Sequence, residues 1–193
     1  MTEGKEVKER SDINKPAMHF VCTLDEAKDL SRNYNNFWVM NCGCREEYGK
    51  GKCKSSRIDV CLTFYNVSSP WGSNMHEITK TEMEEILSEA VNKKLVARPF
   101  RDEKTRSYTE GICFCCDCCC GYFRMGNETC DKGNFIESTD MDNCTHCGLC
   151  VDVCYFKARL MVDGEHSVDR EKCYGCGLCI KACPEDCIEM IER

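Results

Sequence analysis

"CTHCGLCVDVC" at residues 144–154 returns as "CYGCGLCIKAC" at residues 173–183, and the reading of these two stretches decides the fold. Each has cysteines separated by two, two and three residues, and two copies of one pattern imply pseudo-symmetric halves. Between them, "RLMVDGEHSV" (159–168) holds two short apolar runs about an Asp163-Gly164 turn pair, which predicts a hairpin. Each half therefore reads as loop, short helix, strand.

Paired CxxC motifs satisfy a tetrahedral zinc site, which does not call for a third cysteine at two-residue spacing and a fourth three further on. The two stretches match the run that ligates [4Fe-4S] clusters. The last 55 or so residues accordingly resemble the bacterial-type dicluster ferredoxins, small α+β domains with two such clusters. In that family the fourth cysteine of each run ligates the other cluster. The resemblance implies one cluster on Cys144, Cys147, Cys150 and Cys183, and a second on Cys173, Cys176, Cys179 and Cys154. Gly148 and Gly177 would let the backbone approach the clusters closely. One departure stands out: Pro184 follows Cys183, but Tyr155-Phe156 follow Cys154, and this aromatic pair is expected to pack. His146 reads as an exposed spacer, His19, His76 and His166 as surface residues, and Cys187 as a buried free thiol.

The amino-terminal part is cysteine-rich in another way. "GICFCCDCCCG" (111–121) places Cys113, Cys115, Cys116, Cys118, Cys119 and Cys120 within eight positions. As an extended strand it would present Cys113, Cys115 and Cys119 on one face and Cys116, Cys118 and Cys120 on the other. Three thiols per face leave each one short of a four-ligand site. Cys42 and Cys44 ("NCGCR"), Cys53 and Cys61 are the candidate donors to complete them. These ten residues are read as metal ligands for at least one further iron–sulfur cluster. The alternatives are structural zinc, with Cys42, Cys44 and Cys53 completed by a crowded thiol, and unmetallated redox thiols. Cys61 alone could be core, and Cys22 and Cys130 stand apart as non-ligands. Arg45 could offset thiolate charge. This half also resembles an uncharacterised group of iron–sulfur proteins from anaerobic bacteria and archaea, which assigns no ligands.

Local signals supply the elements. Thr23-Leu-Asp-Glu26 is a capping box opening a helix to about Arg32, "NFWVMN" (36–41) a strand, and Met83, Ile86, Leu87, Ala90 and Val91 a helical stripe behind Thr79 and Thr81. Ile58, Cys61, Leu62 and Tyr65 also fall at helical spacing. "LVARPF" (95–100) and the residues up to Ile112 read as strands about "RDEKTR", so helices plus a hairpin suggest a winged-helix-like arrangement. The overall expectation is α+β: a polar tail (1–20), a Cys-rich helix-plus-hairpin domain (21–134) and a dicluster ferredoxin domain (135–193).

Twenty-one cysteines in 193 residues, an odd number, fit metal ligation better than a closed disulfide framework. Met1 to Lys15 has no apolar run and no segment reaches the roughly 18 apolar residues of a membrane span, so a cytoplasmic protein without membrane contact is expected. The net charge is −7, of which residues 138–193 carry −5, from 11 acidic and 6 basic residues. That balance disfavours nucleic acid and suits basic patches on redox protein partners. Phosphate-binding, flavin, nicotinamide and Ser/His/Asp signatures are not found. The leading expectation is an electron carrier; an iron–sulfur enzyme or enzyme subunit, and a redox sensor, are the alternatives. The oligomeric state is not legible.

Overall fold

The structure, a computed structural model, describes residues 15–66, 72–126 and 128–193. Most of the polar tail expected over 1–20 lies outside the described residues. Its end, His19–Phe20, forms strand β1.

Helix α1 (Leu24–Arg32) opens on the capping box: Thr23 Oγ1 accepts from Glu26 N at 3.1 Å, and Thr23 N donates to Glu26 Oε2 at 2.8 Å. Strand β2 (Phe37–Asn41) leads into the short helix α2 (Gly43–Glu47). Next come β3 (Asp59–Thr63) and β4 (His76–Ile78), then α3 (Lys80–Asn92), capped by Thr79 with Glu82. Strands β5 (Val96–Arg101) and β6 (Thr109–Cys115) form the expected hairpin. Helix α4 (Gly121–Met125) and β7 (Cys130–Asp131) complete this part.

These strands form one seven-stranded sheet, β4-β2-β3-β6-β5-β1-β7, antiparallel except for the β1–β7 pair. Two expectations are corrected. The expected helical stripe is instead strand β3, which holds Cys61 and Leu62 with Ile58 and Tyr65 just outside its ends, and the hairpin belongs to a wide sheet rather than to the wing of a winged helix. A strand buried on both faces reads as a continuous apolar run, so its period of two is hidden.

Alternation along the strands gives the sheet two faces. Val39, Leu62, Ile112 and Phe114 pack with Ala27, Met83, Ile86 and Ala90 from α1 and α3. Burial of such side chains contributes about 1.5–3 kcal/mol each. Cys61, Met40 and Phe100 pack together in a separate group, with Cys42 and Cys113 against it.

The carboxy-terminal part has β8 (Phe135–Thr139), α5 (Leu149–Asp152), the hairpin β9 (Arg159–Val162) and β10 (Glu165–Val168), α6 (Leu178–Ala182) and β11 (Ile188–Glu192). Strands β8 and β11 pair antiparallel, as do β9 and β10. Asp163 (φ 52°) and Gly164 (φ 87°) turn the hairpin. With helices and strands in both parts, the fold class is α+β.

Candidate metal centres

In the carboxy-terminal part the two sequence repeats cross. One small cavity is lined by Cys144, Cys147, Cys150 and Cys183; a second is lined by Cys173, Cys176, Cys179 and Cys154. Gly148 and Gly177 precede α5 and α6 with φ of 78° and 73°, a backbone that side-chain-bearing residues rarely adopt. Arg159 borders both cavities, is almost fully buried, and donates from Nη1 to Cys150 Sγ at 3.6 Å.

Three of the four histidines differ from expectation. His166 is buried, with Nε2 3.2 Å from Arg159 Nη1, and burial lowers its pKa. His146 is half-buried, and its Nδ1 accepts from His166 N at 2.8 Å, which ties the first cysteine loop to the hairpin. His19 is half-buried and pairs with Glu128, while His76 is exposed. Cys187 is buried, 3.4 Å from Cys183 Sγ.

The crowded cysteines do not stay extended. Strand β6 ends at Cys115, a turn occupies residues 117–119, and α4 starts at Gly121. Cys113, Cys115 and Cys120 join Cys42, Cys44 and Cys61 around a basin of about 960 Å³, whose wall Cys116 and Cys119 also reach. The six thiols neighbour one another in the order Cys113, Cys61, Cys42, Cys44, Cys120, Cys115. Cys116, Cys118 and Cys119 instead converge on Cys53, all four sulfurs lying within 4.8 Å of one another. The turn therefore exchanges Cys119 and Cys120 relative to simple alternation. It also separates Cys53 from Cys42 and Cys44, contrary to the zinc grouping weighed from sequence.

Two buried arginines border the basin. Arg45 donates to the carbonyls of Arg57 (2.6 Å) and Phe114 (3.0 Å); Arg98 donates to Glu128 (2.9 Å) and to Cys120 Sγ (3.5 Å). Burial opposes the charge of Arg45, but Cys42, Cys53, Cys116 and Cys61 outweigh it and raise its pKa. Each arginine leaves its Nε buried without a partner. Buried donors left over beside six thiols fit an anionic group in the basin. Cys44 and Cys61 beside Cys42 bring its thiol down to about 5, and Cys119, with Cys118 and Cys53, brings Cys116 down to about 4 against the effect of burial. Each group thus holds a thiol ready to ligate as thiolate.

Sequence reasoning did not find the link between the two parts. Tyr122 and Phe123 of α4 meet Tyr155, Phe156 and Tyr174, with Tyr122 and Phe156 ring centroids 6.3 Å apart and Phe156 stacked on Tyr174 at 4.4 Å. The Arg98 guanidinium covers the Tyr122 ring at 4.1 Å. Phe156 and Tyr174 in turn line the second small cavity. The aromatic pair that replaces proline after Cys154 is the only sequence signal for this contact. Cys22 is buried, which raises its pKa, and Cys130 lies close to Arg98.

Comparison with known proteins agrees with this geometry. Residues 136–184 match the family model of the 4Fe-4S dicluster domain, so the carboxy-terminal part is a ferredoxin-type domain that binds iron–sulfur clusters. Residues 15–135 carry the further cysteine groups outside that match. No curated protein matches the chain. Among the described residues no helix is long and apolar enough to cross a membrane.

Proposed function

We propose that the protein carries single electrons between redox protein partners through two [4Fe-4S] clusters and a third iron–sulfur cluster in the six-thiol basin. The clusters supply reversible one-electron chemistry when bound. The chain supplies the ligands, the low-dielectric surroundings and the contact between sites. In this reading Cys144, Cys147, Cys150 and Cys183 hold one cubane, and Cys154, Cys173, Cys176 and Cys179 hold the other. Cys42, Cys44, Cys61, Cys113, Cys115 and Cys120 furnish the donors of the third. Arg45 and Arg98 balance its negative charge.

The observation that carries the proposal is the aromatic bridge. Tyr122 lies under Arg98 at the basin and touches Phe156 and Tyr174, which wall the second ferredoxin cavity. A bridge between two sulfur-lined sites suits a relay, whereas separate structural sites would need none. The acidic carboxy-terminal domain suits partners with basic docking faces.

Iron and acid-labile sulfide on anaerobically purified protein test the third cluster. About 12 or more iron atoms per chain are expected, and about 8 would confine the clusters to the carboxy-terminal domain. A second reading, an iron–sulfur enzyme, is favoured by the basin's volume, which leaves room for a small substrate beside a cluster. Cyanide or carbon monoxide altering the spectrum of one cluster alone would support it. A spectrum unchanged by either ligand supports the carrier.

A further inference from the structure

We propose that Cys53, Cys116, Cys118 and Cys119 form a separate site for one tetrahedrally coordinated divalent metal ion, zinc or iron, rather than for a cluster. Cys53 Sγ lies 3.6 Å from each of Cys116, Cys118 and Cys119, and Cys116 Sγ lies 3.3 Å from both Cys118 and Cys119. An ion with metal–sulfur bonds of about 2.3 Å sets its four sulfurs roughly 3.8 Å apart, the edge of a tetrahedron. The five measured separations fall within about half an ångström of that value, and the sixth, Cys118–Cys119, is no longer than 4.8 Å.

A cubane does not fit the same sulfurs, because an iron and bridging sulfides stand between its thiolates and force them apart. The ferredoxin domain gives the comparison within one molecule. Among the described residues, none of its eight motif cysteines joins two or more other ligands within 4.8 Å, whereas the Cys53 group does. The protein thus has thiol sets of two sizes.

The surroundings are those of a tetrathiolate. Cys116 and Cys119 are buried, and Cys53 and Cys118 are half-buried. Ser55 N donates to Cys53 Sγ at 3.4 Å, the Ser55 hydroxyl lies 3.6 Å from Cys118 Sγ, and the buried Arg45 supplies a nearby positive charge. Cys116 and Cys119 have the two-residue gap common in single-ion sites. Binding displaces the thiol protons. The ion would pin the segment after α2 to the turn after β6, and its ligands Cys116 and Cys119 form part of the basin wall.

The test uses full-length protein purified anaerobically. If the ion is zinc, one zinc per chain is expected, with a zinc-edge absorption spectrum showing four sulfurs at about 2.3 Å and no neighbouring metal. If it is iron, Mössbauer spectroscopy should show one isolated high-spin site per chain. Cys53→Ala and Cys118→Ala should each remove that ion and leave the cluster iron unchanged. Cys42→Ala and Cys61→Ala should keep it, whatever becomes of a cluster in the basin, so this site and the third cluster fail independently. Wild-type protein with neither signature would overturn the proposal. So would Cys53→Ala or Cys118→Ala variants that lose iron in a four-atom step with acid-labile sulfide.

Discussion

Arg159 Nη2 donates to Glu137 Oε2 at 2.7 Å, and both side chains are almost completely buried beside the two ferredoxin cavities. Burial opposes the charge of Arg159, but Cys179, Glu137 and Cys150 hold it in place and raise its pKa. A fixed cation favours the reduced, more negative state of a neighbouring cluster. Arg159→Met is therefore expected to lower the potentials of the carboxy-terminal clusters in a redox titration. Glu137 keeps Arg170 Nε at 3.1 Å and Thr139 Oγ1 at 2.6 Å, so the cost in chemical unfolding should fall below the roughly 3–5 kcal/mol of a buried charge left wholly unpaired. Unchanged potentials would show that Arg159 acts only in the fold.

The aromatic bridge should couple the two halves. Phe156 is half-buried between Phe123 and Tyr174, so Phe156→Ala is expected to cost about 2 kcal/mol. Electron exchange between the carboxy-terminal clusters and the basin should slow, while Phe156→Tyr preserves it. Rapid-freeze spectroscopy after a reducing pulse measures this directly.

Cys183 and Cys187 are neighbours with different expected roles. Cys183→Ala should remove about four irons and one spectroscopic signal. Cys187 lines the same cavity, but Cys187→Ala should retain all the iron, because Cys144, Cys147, Cys150 and Cys183 already make four donors. Iron loss in both variants would make Cys187 a ligand as well.

Acid should weaken the β5–β6 turn. The Asp102 carboxylate is buried, which opposes its charge, but it accepts from Thr105 N at 2.6 Å and Ser107 N at 2.8 Å, and its pKa falls from 3.8 to about 2. A lowered folded-state pKa contributes stability above pH 3.8 that disappears as the pH falls towards 2. Asp102→Asn should melt lower than wild type at neutral pH, with the gap closing across that window. A gap independent of pH would show that the charge plays no part.

Much of the molecule was legible in its sequence. The repeated cysteine runs defined the ferredoxin domain, the Asp163-Gly164 pair its hairpin, and Thr23 and Thr79 the starts of α1 and α3. These signals are local, carried by spacing and by backbone chemistry within a few residues. Pro184 and Tyr155-Phe156 marked an asymmetry between the repeats, but the aromatic partners of that pair lie in α4, beyond the reach of any local pattern.

The division of the ten amino-terminal cysteines was decided by tertiary structure alone. Sequence singled out these ten cysteines and counted three per face of an extended strand, but a turn after Cys116 sends Cys119 and Cys120 to opposite groups. Cys61 came to the basin because its strand pairs with β2 and β6, whereas its helical-looking spacing pointed elsewhere. Sulfur ligation depends on distances of a few ångströms between segments up to 78 positions apart, as in Cys42 and Cys120. Chain topology sets those distances, and residue order does not encode them locally.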